Sequence, residues 1–386
     1  MTVGTTRSRL IPIIVGIGLI EAIAFAWARL WARAVNGDVL FGLDLDAYRQ
    51  GAVRLIATGS PYHDALLTGP IDNRIGNVPI AYLYPPPLAQ TFVPIVDVSP
   101  ALVAAVWAIL QIAALLVLLP LVYRRFGGAL TPGSVCAVLI VAVLSYPLNF
   151  AVYVGNLSGW IAIVIAVMLL GPGRPAGVAA AIMAVVKMTP AVLLVPAVIR
   201  RESRLAALVT VAGVTVASIV LAPYAWSQWL RVLPNILRFP AGTDTSNLAP
   251  GAVLGALGFQ TAGTVLGLTL AAVALIATVV LAVRGSWAGS VAAATALLLF
   301  APSTIWDHYL AILVPVLIAA WPGSDWRTRT TFVLFMVVSA SGWLELETQL
   351  PVRTAYVVVT VLAAGAATAW LASRGADAPS PTTALA

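Results

Sequence analysis

Apolar runs long enough to cross a lipid bilayer recur along almost the whole chain, and they constrain its fold more than any other feature. A bilayer core about 30 Å thick takes roughly 20 apolar residues in a helix. Hydrophobic residues make up 61% of the 386 positions, whereas charged residues make up only 9%. The sequence therefore predicts an all-α polytopic membrane protein, with candidate helices at 10–31, 100–123, 134–152, 157–171, 204–223, 262–284, 287–304, 308–322, 330–345 and 353–373.

The apolar stretch 174–202 is too long for one span and contains Lys187 and, three residues later, Pro190. Proline removes a backbone donor and clashes with the preceding turn, so it favours two short helices broken at this point. Positive residues collect in cytoplasmic loops. With Arg7 and Arg9 inside, only the broken arrangement also leaves the later arginines inside. We therefore predict twelve spans with both ends cytoplasmic and Lys187 at an outward-facing hairpin tip.

The short helices on either side of Lys187 give this residue an unusual predicted depth. A helix of about 13 residues reaches only about 20 Å at 1.5 Å per residue, so the hairpin tip should be recessed within the membrane. Irregular backbone at that depth is tolerated only where it is buried in protein or lines a wet cavity. An ionisable residue there indicates a functional site, unless it snorkels to the headgroups. The lysine ammonium is a compact cation that suits a phosphate.

The predicted topology leaves two large loops on the outer face, at 32–99 and 224–261. The first loop is expected to carry a surface helix near 46–58 and a short apolar helix near 86–97. The whole chain then divides into a single transmembrane domain over 1–373 and a disordered cytoplasmic tail over 374–386.

Charge and cysteine content exclude several classes of function. The formal net charge is +7, but the arginines are scattered between apolar runs rather than gathered on one face, so nucleic acid is not an expected partner. The single cysteine, Cys136, can form no intrachain disulfide. The two histidines, His63 and His308, lie far apart and form no zinc spacing pattern. No cofactor is expected to be required, and the acids alone do not decide whether a divalent metal binds.

Acidic residues at the start of the first large loop are the first candidates for chemistry. Asp44 and Asp46 follow the first span and precede Tyr48. Asp is favoured where a helix begins, because its carboxylate accepts free backbone amides, and this interpretation fits Asp46 well. For Asp44 the residues alone leave two interpretations open, a helix cap and a catalytic carboxylate.

Aromatic and basic groups beside other apolar runs are further candidates. The run from Tyr84 to Pro87 is either a rigid lead into the following helix, since proline suits a helix start, or part of a site. The run from Trp306 to His308 lies at an outer helix end. A histidine there can either anchor the chain at the membrane interface or act in a site.

At these residues the chain resembles glycosyltransferase family 87. Its members are membrane enzymes of the GT-C type and include actinobacterial polyprenyl-phosphate-mannose-dependent α-1,2-mannosyltransferases that act on phosphatidylinositol mannosides. The resemblance covers about residues 10 to 325. It rests on the order of five elements, namely Asp44-Leu45-Asp46-Ala47-Tyr48, Gly59-Ser60-Pro61-Tyr62, Tyr84-Pro85-Pro86, Lys187-Met188-Thr189-Pro190 before Arg200-Arg201, and Trp306-Asp307-His308.

The resemblance implies an inverting glycosyltransferase at the outer face of the plasma membrane. Such an enzyme moves a sugar, here mannose, from a polyprenyl-phosphate donor to a cell-envelope glycolipid or glycan acceptor, with an α-1,2 linkage. Asp44 would be the general base, and Lys187 and His308 would stabilise the leaving phosphate. The other positions expected to help or to contact substrate are Tyr84, Trp306, Asp46, Arg49, Arg54, Asn156 and Asn247.

Two departures from the family pattern leave the donor sugar open. Gly155-Asn156-Leu157-Ser158 stands where the family often has Gly-Gln-x-Asn, and Asn247-Leu248-Ala249 stands where Asn-Gln-Ser is common. Arabinofuranose from a polyprenyl-phosphate donor therefore stays an alternative to mannose. An alternative of another class is a transporter or flippase of lipid-linked sugars. That class predicts small outer loops and an internal repeat, whereas this chain has a long first loop and no visible repeat.

Overall fold

The computed structural model describes residues 4–68, 82–237 and 246–374. These residues form helices joined by loops and turns and contain no strand, so the predicted all-α fold is confirmed. The α-helices are α1 (Gly4–Ala26), α2 (Ala32–Val35), α3 (Leu43–Thr58), α4 (Asp64–Thr68), α5 (Pro86–Phe92), α6 (Pro100–Arg125), α7 (Pro132–Leu144), α8 (Tyr146–Tyr153), α9 (Leu157–Leu170), α10 (Arg174–Val186), α11 (Leu194–Ile199), α12 (Arg201–Leu221), α13 (Pro223–Leu237), α14 (Pro250–Ala256), α15 (Gln260–Val283), α16 (Trp287–Phe300), α17 (Val314–Ala320), α18 (Trp326–Ser339) and α19 (Leu350–Ser373). A π-helical segment at Trp27–Trp31 joins α1 to α2, and 3₁₀ segments lie at Val93–Ile95, Thr189–Leu193, Asp307–Leu313 and Ala340–Leu344.

Several helices are long and apolar enough to cross a membrane. In the described part of the chain there are five, or six if the bent pair α7 and α8 counts as one span. Five other apolar segments, including α9, α10 and α16, have only 10–17 residues. The membrane character of the protein is therefore confirmed, but the predicted twelve spans are not, because the shorter segments fall below the roughly 20 residues that a bilayer core requires.

The predicted break in the stretch 174–202 is present. Helix α10 ends at Val186, Lys187 is extended with φ −146° and ψ 131°, and the 3₁₀ segment Thr189–Leu193 leads into α11. Because proline cannot continue the hydrogen-bonding pattern of α10, the chain changes direction at Pro190.

The prediction of one helix over 134–152 is wrong. Helices α7 and α8 meet at Ser145 and are bent by 65° relative to each other. Pro147 lies in the first turn of α8, where its missing N–H costs no helical hydrogen bond. The side-chain amide of Asn149 donates to the carbonyls of Ala142 and Val143 at 3.2 and 2.8 Å, so it satisfies acceptors that the bend frees. Beyond the bend the burial changes, since most residues of α8 are buried whereas only Val138 of α7 is.

Long and short helices differ in burial. In the five long spans only 11% to 39% of the residues in the most apolar window are buried, as expected for helices that face lipid. By contrast, every residue of α16 except Ala288 is buried, and most of α9 is buried as well. The short helices α9 and α16 therefore belong to the core of the protein.

The predicted helices of the first loop are present as α3 and α5, with shifted bounds. Helix α3 starts after Gly42, whose φ of 72° is left-handed and whose added Cβ would lie 2.8 Å from the Cβ of Ala104. Glycine is required for this close approach of the loop to α6. The predicted tail at 374–386 lies, apart from Arg374, outside the described residues.

Candidate active site

The N-terminal end of α3 is docked on the turn that follows α8. The backbone N–H of Gly42 donates to the carbonyl of Tyr153, and that of Asp44 donates to the carbonyl of Val154, both at 2.9 Å. The residue at the cap position of α3 is Gly42, and the start of α3 has no side-chain cap hydrogen bond. Interpreting the two acids as helix caps is therefore wrong, although a negative charge in the first turn of a helix is still favourable.

Asn156 fixes the carboxylate of Asp44. The side-chain Nδ2 of Asn156 donates to Oδ2 of Asp44 at 2.6 Å. Its Oδ1 accepts from the backbone N–H and the hydroxyl of Ser158 at 2.8 and 2.7 Å, and so caps α9. Because both ends of this amide are occupied, Asn156 cannot turn away from Asp44. The sequence predicted Asn156 as a substrate contact, and the structure places it as the hydrogen-bond donor to Asp44.

Gly155 allows this arrangement. Its φ is 73°, and an added Cβ would lie 2.8 Å from the Cβ of Leu45. A side chain at this position would therefore push the start of α9 away from α3.

Lys187 reaches the same site from the break after α10. The residue is only 9% exposed, and its Nζ lies 4.5 Å from the ring centroid of Tyr309 and 5.6 Å from that of Tyr84. Both distances are within the range of cation–π interactions. The ammonium of Lys187 also interacts electrostatically with the carboxylate of Asp44. The predicted recessed lysine is thus buried beside the predicted base.

Tyr84 forms a wall of the site together with Tyr48. Their rings meet edge to face with centroids 5.0 Å apart, and their hydroxyl oxygens are 3.5 Å apart. The hydroxyl of Tyr62 donates to the carbonyl of Tyr84 at 2.8 Å, which holds the segment ahead of α5. Burial raises the pKa of Tyr48 and of Tyr84, so both hydroxyls stay protonated at neutral pH and can donate hydrogen bonds.

His308 lies next to this group, in the 3₁₀ segment Asp307–Leu313. Its ring contacts Tyr309 with centroids 4.8 Å apart, and it stacks on Trp306 at 5.9 Å. His308 is buried, and neither of its ring nitrogens has a hydrogen-bond partner within the described residues. Buried polar atoms are normally hydrogen-bonded, so this imidazole has unused capacity to bind a ligand.

Asn247 holds the backbone of the site. Its Nδ2 donates to the carbonyl of Ser303 at 3.0 Å, and its Oδ1 accepts from the N–H of Ala249 and of Ile305, both at 2.9 Å. The predicted substrate contact therefore has both side-chain groups bound to backbone, and Asn247 fixes the segment that leads into Trp306.

Three other predicted residues lie away from the cluster. Asp46 forms a weak ion pair with Arg49, with Oδ1 and Nη1 3.9 Å apart, and the Arg49 guanidinium donates to the carbonyl of Val96. The guanidinium of Arg54 donates to the carbonyl of Tyr62 at 2.8 Å. On a helix, Asp46 points about 200° away from Asp44, so the two acids cannot face the same site. That Asp46 and Arg49 contact substrate stays a prediction.

The comparison with known families agrees with this group of residues. The model of glycosyltransferase family 87 matches residues 82–288, more than half of the chain. This protein belongs to glycosyltransferase family 87. No curated protein matches it. The match is narrower than the expected 10–325, and five residues of the cluster lie outside it, namely Asp44, Tyr48, Trp306, His308 and Tyr309.

The site of this family 87 glycosyltransferase therefore combines segments from inside and outside the matched range. Tyr84, Asn156 and Lys187 lie within it, and each contacts or interacts with a residue beyond it. Tyr309 was missed from the sequence, although it directly follows the Trp306–His308 run that was selected. Its position next to that run was the only feature of the sequence that could have indicated a place for Tyr309 in the site.

A large apolar groove lies beside the site of the glycosyltransferase. Its volume is about 650 Å³, and helices α1, α6, α7, α17 and α18 supply its almost entirely apolar lining. At one end Trp343 lines the groove and packs edge-on against Tyr146, with ring centroids 5.3 Å apart. Tyr146 stacks on Phe150 at 5.3 Å, and Phe150 contacts His308 at 6.0 Å. A row of packed aromatic rings thus runs from the lining of the groove to His308.

The described part of the glycosyltransferase has few groups that could bind a metal ion. No group of three or more His, Cys, Asp or Glu side chains there is arranged to hold a metal ion. The expectation that no cofactor is required stays a prediction.

Proposed function

We propose that this glycosyltransferase is an inverting enzyme of the GT-C type that transfers mannose from a polyprenyl-phosphate donor to a cell-envelope glycolipid or glycan, forming an α-1,2 linkage at the outer face of the plasma membrane. The observation that carries the proposal is the convergence of Asp44, Lys187 and Tyr84 in one buried site. A carboxylate held by an amide beside a buried cation is the arrangement that sugar transfer from a phosphate requires.

In this proposal Asp44 is the general base. It removes the proton from an acceptor hydroxyl while that oxygen attacks the anomeric carbon of the donor sugar. The bond between that carbon and the phosphate oxygen breaks in the same step, so the configuration inverts. A general base must lie about 2.6–3.2 Å from the hydroxyl that it deprotonates, directly or through one water. The bond from Asn156 at 2.6 Å occupies Oδ2 of Asp44 and restricts the orientation of the carboxylate.

Lys187 and His308 would act on the leaving polyprenyl phosphate, which gains negative charge as the bond breaks. Stabilisation of developing charge by groups already in place is usually the largest electrostatic contribution to catalysis. The side-chain ammonium of Lys187 has no hydrogen bond or ion pair with any described residue, and the ring nitrogens of His308 have no hydrogen-bond partner there. Both groups therefore have hydrogen-bonding capacity left for an anion, and the nearest acid to the imidazole is Asp307, whose Oδ1 lies 3.5 Å from Nδ1 of His308.

The apolar groove supports a lipid-linked donor. A hydrocarbon chain gains about 0.8 kcal/mol for each CH₂ group that it removes from water, but within a membrane the gain comes from close packing instead. In this proposal the groove of about 650 Å³ holds isoprene units of the donor, and the phosphate lies at Lys187 and His308. The proposed outer location of the site is supported by the placement of the arginines.

The proposal is tested by measuring turnover of the purified protein in lipid, with polyprenyl-phosphate-mannose and a mannosylated lipid acceptor. We expect transfer by the wild type and a loss of at least about 1000-fold in Asp44→Asn, since a positioned base contributes about 10²–10⁴-fold. Asp46→Asn is the matched control, because it makes the same chemical change two residues away on the opposite face of α3. It should retain turnover within about threefold.

Near-normal turnover by a folded Asp44→Asn protein would reject Asp44 as the base. Transfer from polyprenyl-phosphate-arabinose alone would show that the donor sugar is arabinose rather than mannose. Absence of transfer from both donors, with movement of the lipid-linked sugar across the bilayer, would favour the transporter class instead.

A further inference from the structure

Two opposite charges share the site without forming an ion pair. The carboxylate of Asp44 and the ammonium of Lys187 interact electrostatically, yet no nitrogen–oxygen distance between them is within the 4.0 Å of an ion pair. Buried charges are normally paired because leaving them unpaired is costly. Asp44 instead accepts a hydrogen bond from Asn156, and the ammonium of Lys187 packs on the ring of Tyr309.

The side chain of Tyr309 contacts the ammonium of Lys187. Its ring is the nearest aromatic face to Lys187, with Nζ 4.5 Å from the ring centroid, compared with 5.6 Å for Tyr84. Tyr309 also interacts electrostatically with Asp44 and with Tyr84. It thus contacts the cation with its ring and lies within electrostatic range of the carboxylate.

Neighbouring rings fix the position of Tyr309. His308 packs on it edge to face at 4.8 Å with an interplanar angle of 89°, and Trp306 packs on it at 5.7 Å. The backbone N–H of Tyr309 donates to the carbonyl of Trp306 at 2.9 Å. A ring held in this way cannot move aside, so the ammonium keeps its place against the aromatic face.

We propose that Tyr309 is a positioning residue that prevents a direct ion pair between Lys187 and Asp44. The inference rests on the proposed function, in which Asp44 must accept a proton and Lys187 must bind a phosphate. A direct pair would use both groups for each other. By binding the ammonium through its ring, Tyr309 stabilises Lys187 without a carboxylate and leaves Asp44 to the acceptor.

Two substitutions distinguish the role of the Tyr309 ring from the role of its hydroxyl. Tyr309→Phe keeps the aromatic face, and its kcat/KM should stay within about threefold of the wild-type value. Tyr309→Leu removes that face, and we expect kcat/KM to fall by about 30-fold. If Phe and Leu are equally damaging, the hydroxyl rather than the ring is important and the proposal is rejected.

A double-mutant cycle with Lys187→Met distinguishes positioning from simple structural support. If Tyr309 acts by keeping Lys187 off Asp44, removal of the ring has no further effect once Lys187 is absent. The double variant should then have the same kcat/KM as Lys187→Met alone. Losses that multiply would mean that Tyr309 acts independently of Lys187, and would overturn the proposal.

Cross-linking reports the separation of the charges without any activity. Lys187 is the only lysine in the chain, so an apolar carbodiimide can join a side-chain amine to a carboxylate only at this residue. The reagent activates the Asp44 carboxyl, the Lys187 amine forms the amide, and the urea leaves. Mass spectrometry should find the Lys187–Asp44 peptide pair in Tyr309→Leu and not in the wild type or Tyr309→Phe.

The outcomes for the proposed function and for this inference are separable. A cross-link confined to Tyr309→Leu in a protein that transfers no sugar would keep the positioning role and reject the proposed reaction. Transfer by the wild type together with no cross-link in Tyr309→Leu would reject the positioning role and keep the reaction.

Discussion

Asn156 offers the sharpest test of how the site is built. In Asn156→Ala the hydrogen bond of 2.6 Å to the Asp44 carboxylate is lost, and so is the cap on the N–H of Ser158. The carboxylate keeps its chemistry but loses the group that orients it. We therefore expect kcat to fall while the KM of either substrate changes little.

The size of each effect follows from the bonds that are removed. A hydrogen bond to a charged group contributes about 1.5–3 kcal/mol, and every 1.36 kcal/mol is a factor of ten in rate. Full loss of that orientation predicts a decrease in kcat of about 10- to 100-fold, similar to the effect of misplacing a reacting group by about 1 Å. Loss of the cap should lower the free energy of unfolding by about 1 kcal/mol.

The assay compares kcat and Tm of Asn156→Ala with those of Asp325→Ala. Asp325 caps α18 through a bond of 2.8 Å from the N–H of Thr328, and no described contact links it to Asp44. Both variants lose a helix cap, so both should lose stability, but only Asn156→Ala should lose turnover. If the two variants retain equal turnover at equal Tm, Asn156 is a helix cap and does not position the base.

Two further predictions concern the groove and the outer loop. Met336→Trp fills part of the groove, so the KM of a long polyprenyl donor should rise about tenfold while the KM of a two-isoprene donor stays unchanged. The control Leu334→Trp, on the exposed face of α18, should change neither KM. An equal rise in KM for both donors would mean that the lipid tail binds elsewhere. Burial, with added repulsion from Asp307 and Glu345, raises the pKa of Glu347 above its ordinary value of 4.5. The protonated carboxyl therefore favours folding most when the pH is below 4.5, and this contribution to stability is lost as the pH rises through the raised pKa. Glu347→Gln should therefore have a higher Tm than the wild type at pH 8 and the same Tm at pH 4, measured by tryptophan fluorescence in detergent; an equal difference at both pH values would contradict this origin.

Local sequence was sufficient to predict most of the helices and the break at Lys187. Hydropathy and proline act within one helical turn or one apolar run, so their effects can be read without knowing the neighbours. The surface helix near the acids and the short helix after Tyr84 were also predicted for this reason. The bend at Ser145 was missed, because it depends on the contacts made by the Asn149 amide with carbonyls six and seven residues away.

The sequence could not determine which of the predicted residues meet. Asp44 and Asp46 have the same chemistry, and only the docking of α3 on the turn after α8 directs one of them inwards. Asn156 binds Asp44 from 112 positions away, and Tyr309 reaches Lys187 from a still more distant segment.

The sequence by itself determined that this protein is a helical membrane protein with its chemistry in polar breaks between apolar runs, because hydropathy is a property of each segment alone. The tertiary structure decided which breaks come together, which amide binds the Asp44 carboxylate and which ring contacts the Lys187 ammonium. Those features depend on contacts between distant segments, and no local pattern encodes the geometry of such contacts.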